Sequence, residues 1–113
     1  HHFHDLNIDH RTVFNAVLTA TRPMGSSVKE IISFEVPSST EWNYPVQFNP
    51  NYFVEIKSQL SAKIKAMEAY KNEIKDFPHP RSAKYLEHNC FRWGSVSGNH
   101  CAEAFEIIRK IEK

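Results

Sequence analysis

The 113-residue chain is short of cysteine, of surplus charge and of long apolar runs, and each shortage removes a class of protein. A formal net charge of +1 argues against a nucleic-acid or anionic-membrane surface as the main business, because both need a basic excess. No apolar run approaches a membrane span, and no basic segment followed by an apolar one marks a secretory leader. The two cysteines, Cys90 and Cys101, stand in no CxxC pair. They could form one disulfide, but Cys90 lies in a stretch that reads as helix. Buried thiols of a reducing, cytoplasmic compartment are the expectation. HxxxH and HExxH are also absent, as are internal repeats and low-complexity segments. The first residue is His rather than Met, so the chain reads as a processed product or a piece of a longer protein.

What remains is ordinary for a globular domain: 41% hydrophobic, 12% aromatic and 24% charged residues. Asp9 to Ala20 reads as a helix, with Val13, Phe14, Val17 and Leu18 at helical spacing and Asp9 as its N-cap. Val28 to Val36 is short and β-branched and stops at Pro37, which predicts a strand with Ile32, Phe34 and Val36 on one face. Residues 37 to 51 hold three prolines among Trp42, Tyr44 and Phe48, the composition of an ordered loop rather than a linker. From Tyr52 to Asn72 the residues Phe53, Ile56, Leu60, Ile64, Met67 and Tyr70 step by three or four, predicting an amphipathic helix packed on a core. Pro80 suits the first turn of a further helix with Tyr85, Leu86 and Cys90 inward and Gly94 as its stop. In AEAFEIIRKI the alternation favours a strand, although Ala102, Phe105 and Ile108 fit a helix equally.

The chemistry concentrates at the start, HHFHDLNIDH, with four histidines and two aspartates in ten residues. A histidine run at the start of a chain is often a tag or solvated surface. His10 differs, because it falls where a loop enters a helix and the backbone is fixed. There an imidazole can be aimed by a partner on its second nitrogen. A catalytic zinc needs about three protein ligands and an open position. His10 has no second ligand at metal spacing, so the residues alone supply a fragment of a site.

The stretches DLNIDHRTVFNAVLTATRP, SFEVPSSTEW, FPHPRS and RWGSVSGNHCAEAFEIIR, in this order from His1 to about Lys110, resemble the C-terminal half of the LmbE-like, PIG-L-type deacetylases. The resemblance implies an α/β fold, part of a Rossmann-like three-layer sandwich with the metal at the carboxyl ends of the strands. Its N-terminal half, with the first metal motif, is expected to lie upstream of residue 1. It implies zinc as cofactor and hydrolysis of the N-acetyl group of an N-acetylglucosamine-type amino sugar or its conjugate. By the same resemblance His10, in the Asp-His pair, is a zinc ligand. The His-Pro-Asp-Asp motif that supplies the other ligands and the general base is absent; the one His-Pro, His79-Pro80, is followed by Arg.

A second departure falls at Asn7, where many family members carry a His acting as general acid or oxyanion stabiliser. Asn can donate a hydrogen bond to an oxyanion but cannot deliver a proton. The acid would then be His4, Asp5 or an upstream residue. The catalytic candidates are therefore Asn7, Asp9 and Asp5, with Arg81 and Arg92 as substrate-binding side chains. For both arginines pairing with surface carboxylates is the bland alternative. Glu103 either orients a site group or caps a strand edge, and Trp42 and Tyr44 either stack on a sugar or pack. The expected partner is a small-molecule amino sugar, without nucleic acid or membrane span, and a homo-oligomer is compatible with the sequence. The rival to an enzyme is a catalytically degenerate sugar-binding protein on the same scaffold. An unrelated α/β interaction module would need four motifs to agree by chance.

Overall fold

A computed structural model describes residues 1–112. Three helices and three strands occur among them, in the order α1 (Ile8–Ala20), β1 (Glu30–Phe34), β2 (Tyr52–Glu55), α2 (Leu60–Glu68), α3 (Ala83–Ser97) and β3 (Ala102–Lys110). The class is mixed α/β, with a small three-stranded sheet in the order β1-β3-β2. No helix among the described residues is long and apolar enough to cross a membrane.

The chain divides into two compact units. The first takes residues 1–52 and the end of the chain from Phe105, and so holds α1, β1 and the outer part of β3. Here β1 runs antiparallel to β3, with Phe34 opposite Phe105 and Glu30 opposite Lys110. A bulge between Ile31 and Ile32 shifts the register. Ile32 and Phe34 share a face as expected, but it is the exposed one; Ile31 and Ser33 point inward. The inward choice follows from pairing chemistry: Ser33 Oγ donates to the buried Glu106 carboxylate at 3.2 Å. Asn51 binds the other edge of β3, its N–H donating to Phe105 O at 3.0 Å and its Oδ1 accepting from Ile107 N–H at 2.8 Å.

The second unit spans residues 53–104. Its core joins Ile56, Cys90 and Cys101, with Leu60 and Phe91 against them. Here the expected helix over residues 52–72 is corrected. Tyr52–Glu55 is strand, and α2 covers only Leu60–Glu68. The aromatic and β-branched run Tyr-Phe-Val fits a pleated surface. The backbone turns after β2, where Ile56 N–H donates to Cys101 O at 3.2 Å. Of the expected apolar stripe, Ile56 is buried while Phe53, Leu60, Ile64 and Met67 are half-buried. The three-or-four spacing ran across a strand, a turn and a helix, which periodicity alone does not separate.

Ser82 caps α3, its Oγ accepting from Tyr85 N–H at 3.1 Å. Leu86, Cys90, Trp93 and Gly94 form the buried face. The helix does not stop at Gly94 as expected. It runs on to Gly98, whose φ of 75° is the left-handed cap conformation that glycine adopts without steric cost. β3 is a strand, and Ala102, Ala104 and Glu106 form its buried side. Both cysteines are free and buried. Burial, and after it the Glu55 carboxylate, push the Cys101 thiol up, which keeps it protonated and unreactive.

Candidate functional site

The site builds from the entry to α1. Asn7 is extended (φ −70°, ψ 122°), and its Oδ1 accepts from Asp9 N–H at 2.8 Å. Asn7 is therefore the N-cap, and the expectation that Asp9 caps this helix is corrected. Asp9 sits exposed in the first turn, where a carboxylate is favoured by the free amides at the helix start. The capping bond uses the acceptor end of the Asn7 amide and leaves its donor end, Nδ2, outside the cap.

Asp5, two residues earlier, is fully buried. Its Oδ1 accepts from Asn7 N–H at 2.9 Å and from Ser39 Oγ, and its Oδ2 accepts from Thr40 Oγ1 at 2.8 Å. His10 Nδ1 lies 3.3 Å from Asp5 Oδ1. That contact is long and loosely aligned, and Nδ1 has no other hydrogen-bond partner. The His10 ring stacks on His1 with centroids 3.9 Å apart and planes parallel to within 1°. Arg11 ties the segment down by donating from Nη1 to Asp5 O at 2.7 Å and Leu6 O at 3.0 Å.

Burial pushes the Asp5 carboxyl up, but hydrogen bonds from Ser39, Asn7, Thr40 and His10 outweigh it and hold the group below its ordinary 3.8. A carboxyl depressed by folding stabilises the native state above its unfolded pKa and loses that contribution as pH falls through the folded value. The stability of the chain is therefore expected to drop on the acid side of the ordinary carboxylate range. Asp5→Asn should flatten that drop while lowering stability at neutral pH. Urea midpoints measured from pH 7 down to pH 3 check this, and parallel curves for the two proteins would contradict it.

His4 is held by Asn43, whose Nδ2 meets both its Nδ1 and its backbone oxygen. Arg81 and Arg92 belong to the second unit. Arg81 is paired with Glu73, and the Arg92 guanidinium lies over the Trp93 ring, 4.1 Å from its centroid. Glu103 pairs with Lys63. Trp42 and Tyr44 are exposed, Tyr44 at 81%. Among the described residues, no three His, Cys, Asp or Glu side chains are grouped to hold a metal ion.

Sequence reasoning missed three participants. Glu106 is buried on β3, with Oε2 3.1 Å from Nδ1 of the fully buried His2 and Oε1 accepting from Asn49 N–H at 2.7 Å. Its signal was available: Glu106 shares the inward parity of Ala102 and Ala104. Ser39 and Thr40 carried no such signal, because a serine-threonine turn after Pro37 reads as solvent-exposed punctuation. No family model, no curated protein and no solved structure matches the chain.

Proposed function

We propose that this chain is the C-terminal portion of a zinc-dependent amidohydrolase on a Rossmann-like sandwich. Its substrate is an N-acetylglucosamine-type amino sugar or conjugate, from which it removes the N-acetyl group. The observation that carries the reading is the buried Asp5 carboxylate behind Nδ1 of His10. A carboxylate on one imidazole nitrogen is the usual outer-shell partner of a metal-ligating histidine, and it leaves Nε2 as the donor. The donor chemistry thus fits zinc, with His10 as one ligand and the others upstream of the chain. Bound there, zinc supplies Lewis acidity to water and to the acetamide carbonyl.

The residues of this chain do the rest by orientation and charge. Asp5 aims His10 and is a positioning residue, since its oxygens are already committed to four neighbours. Asn7 Nδ2 donates to the carbonyl oxygen as water adds and negative charge develops there. An upstream Asp takes a proton from the attacking water. The carbon–nitrogen bond breaks as an acid other than Asn7 delivers a proton to the leaving nitrogen, giving acetate and a free amine. Asp9, one residue before the ligand, supports the helix start.

The test uses the intact protein, with zinc content and acetate release from N-acetylglucosamine conjugates as readouts. Asn7→Asp keeps the cap, removes the donor and should lower turnover by roughly 10²–10³ while sparing the metal. Asn7→Ala should add about 1 kcal/mol of lost cap stability to the same defect. Zinc without acetate release would point to the sugar-binding alternative, and neither zinc nor release would remove the reading.

A further inference from the structure

The SFEVPSSTEW segment holds two hydroxyls, of Ser39 and Thr40, that both donate to Asp5. Thr40 Oγ1 accepts from Val36 N–H at 2.7 Å, so its single hydrogen is free for Asp5 Oδ2 at 2.8 Å. Ser39 Oγ accepts from Asn7 N–H at 3.2 Å and gives its hydrogen to Asp5 Oδ1. Both hydroxyls are thus polarised the same way, from backbone amide through oxygen to carboxylate. The turn that presents them is itself specified. Ser38 takes a left-handed φ of 67°, and the Glu41 carboxylate accepts from Ser38 N–H at 2.7 Å and Ser39 N–H at 3.3 Å. A non-glycine residue in that conformation persists only where its surroundings hold it.

With donors on both oxygens, the Asp5 carboxylate is fixed in plane and can only accept. The next group against Oδ1 is His10 Nδ1. An unprotonated Nδ1 would set lone pair against lone pair in a buried place, whereas Nδ1–H completes the set. We propose that Ser39 and Thr40 are positioning residues which, through Asp5, hold His10 with its proton on Nδ1 and its Nε2 lone pair presented outward. The inference rests on the reading of His10 as a ligand through Nε2, but its direct consequence, the tautomer, is measurable without metal.

Long-range proton–nitrogen spectra of the ¹⁵N-labelled, zinc-free protein report which His10 nitrogen carries the hydrogen. The wild type should show Nδ1–H as the dominant neutral form. Ser39→Ala with Thr40→Val should move His10 toward Nε2–H while the backbone amide spectrum stays folded. Thr40→Ser, which keeps the hydroxyl, should restore the wild-type form. In zinc titrations of the intact protein the double variant should bind about 10–100-fold more weakly. An unchanged tautomer in the folded double variant overturns the assignment. Should that variant not fold, the two single variants decide by the same criterion, and an unshifted tautomer in both overturns it equally. A wild-type Nδ1–H tautomer with no zinc binding would defeat the zinc reading and leave the positioning chain standing.

Discussion

His10→Ala in the intact protein is expected to abolish both zinc retention and acetate release. Disturbing only an outer-shell partner of a ligand costs about 10–100-fold in metal affinity, so removing the ligand itself should exceed that range. The effect on folding should be smaller. His10 is one of several groups against Asp5, and Asn7, Ser39 and Thr40 still satisfy the carboxylate when the imidazole is gone. What the fold loses is the stacking against His1, 3.9 Å between centroids. Metal content by mass spectrometry, turnover and a thermal melt on the same preparation separate the two effects. A variant that melts near the wild type but holds no zinc fits the reading. Full activity in His10→Ala would remove its central claim.

The contrast between His10 and its surroundings shows what a sequence carries. The position of His10 at the head of a helix was legible, because a helix start is set by local chemistry: a capping side chain followed by apolar residues at helical spacing. Which residue capped it was not, since Asn7 and Asp9 are both good caps and the choice depends on Asp5 and Ser39 engaging the Asn7 amide. β1 was legible from its short β-branched run ending before Pro37, and β3 only in part, since its alternation favoured a strand while Ala102, Phe105 and Ile108 fitted a helix equally. Their inward faces were misread at β1, where Ser33 turns in to meet Glu106 from a strand 73 residues away. The partners of Asp5 in the PSST turn, 34 and 35 residues on, lay outside any local pattern. Local propensity therefore marked the helix start that carries His10, and long-range hydrogen bonds from Ser39 and Thr40 fix the nearby Asp5 that faces it.

Gly94→Ala should destabilise the second unit, against what helix propensity says. In an exposed helix interior the change would gain about 1 kcal/mol, since alanine loses less backbone freedom than glycine. Gly94, however, lies buried in the last turn of α3, at a close approach to the chain that follows the helix. A Cβ there would fall 2.6 Å from His100 O, 2.7 Å from Cys101 Cα and 2.8 Å from His100 C. These are backbone atoms, so no side-chain rotation relieves the contact. Relief requires α3 and the 100–101 segment to part, and Cys101 is fully buried in the cluster with Ile56 and Cys90. Overpacking of this kind costs typically about 1–3 kcal/mol, enough to outweigh the propensity gain. Gly98 offers the comparison: a Cβ there meets nothing within 4 Å, and the cost is only that of a left-handed residue, about 1–2 kcal/mol. Gly94→Ala and Gly94→Val should therefore fall progressively in urea midpoint, whereas Gly98→Ala and Gly98→Val should show no such dependence on size beyond the penalty for β-branching. Equal stability of Gly94→Ala and the wild type would mean that α3 and the 100–101 segment do not approach as closely as 2.6 Å implies.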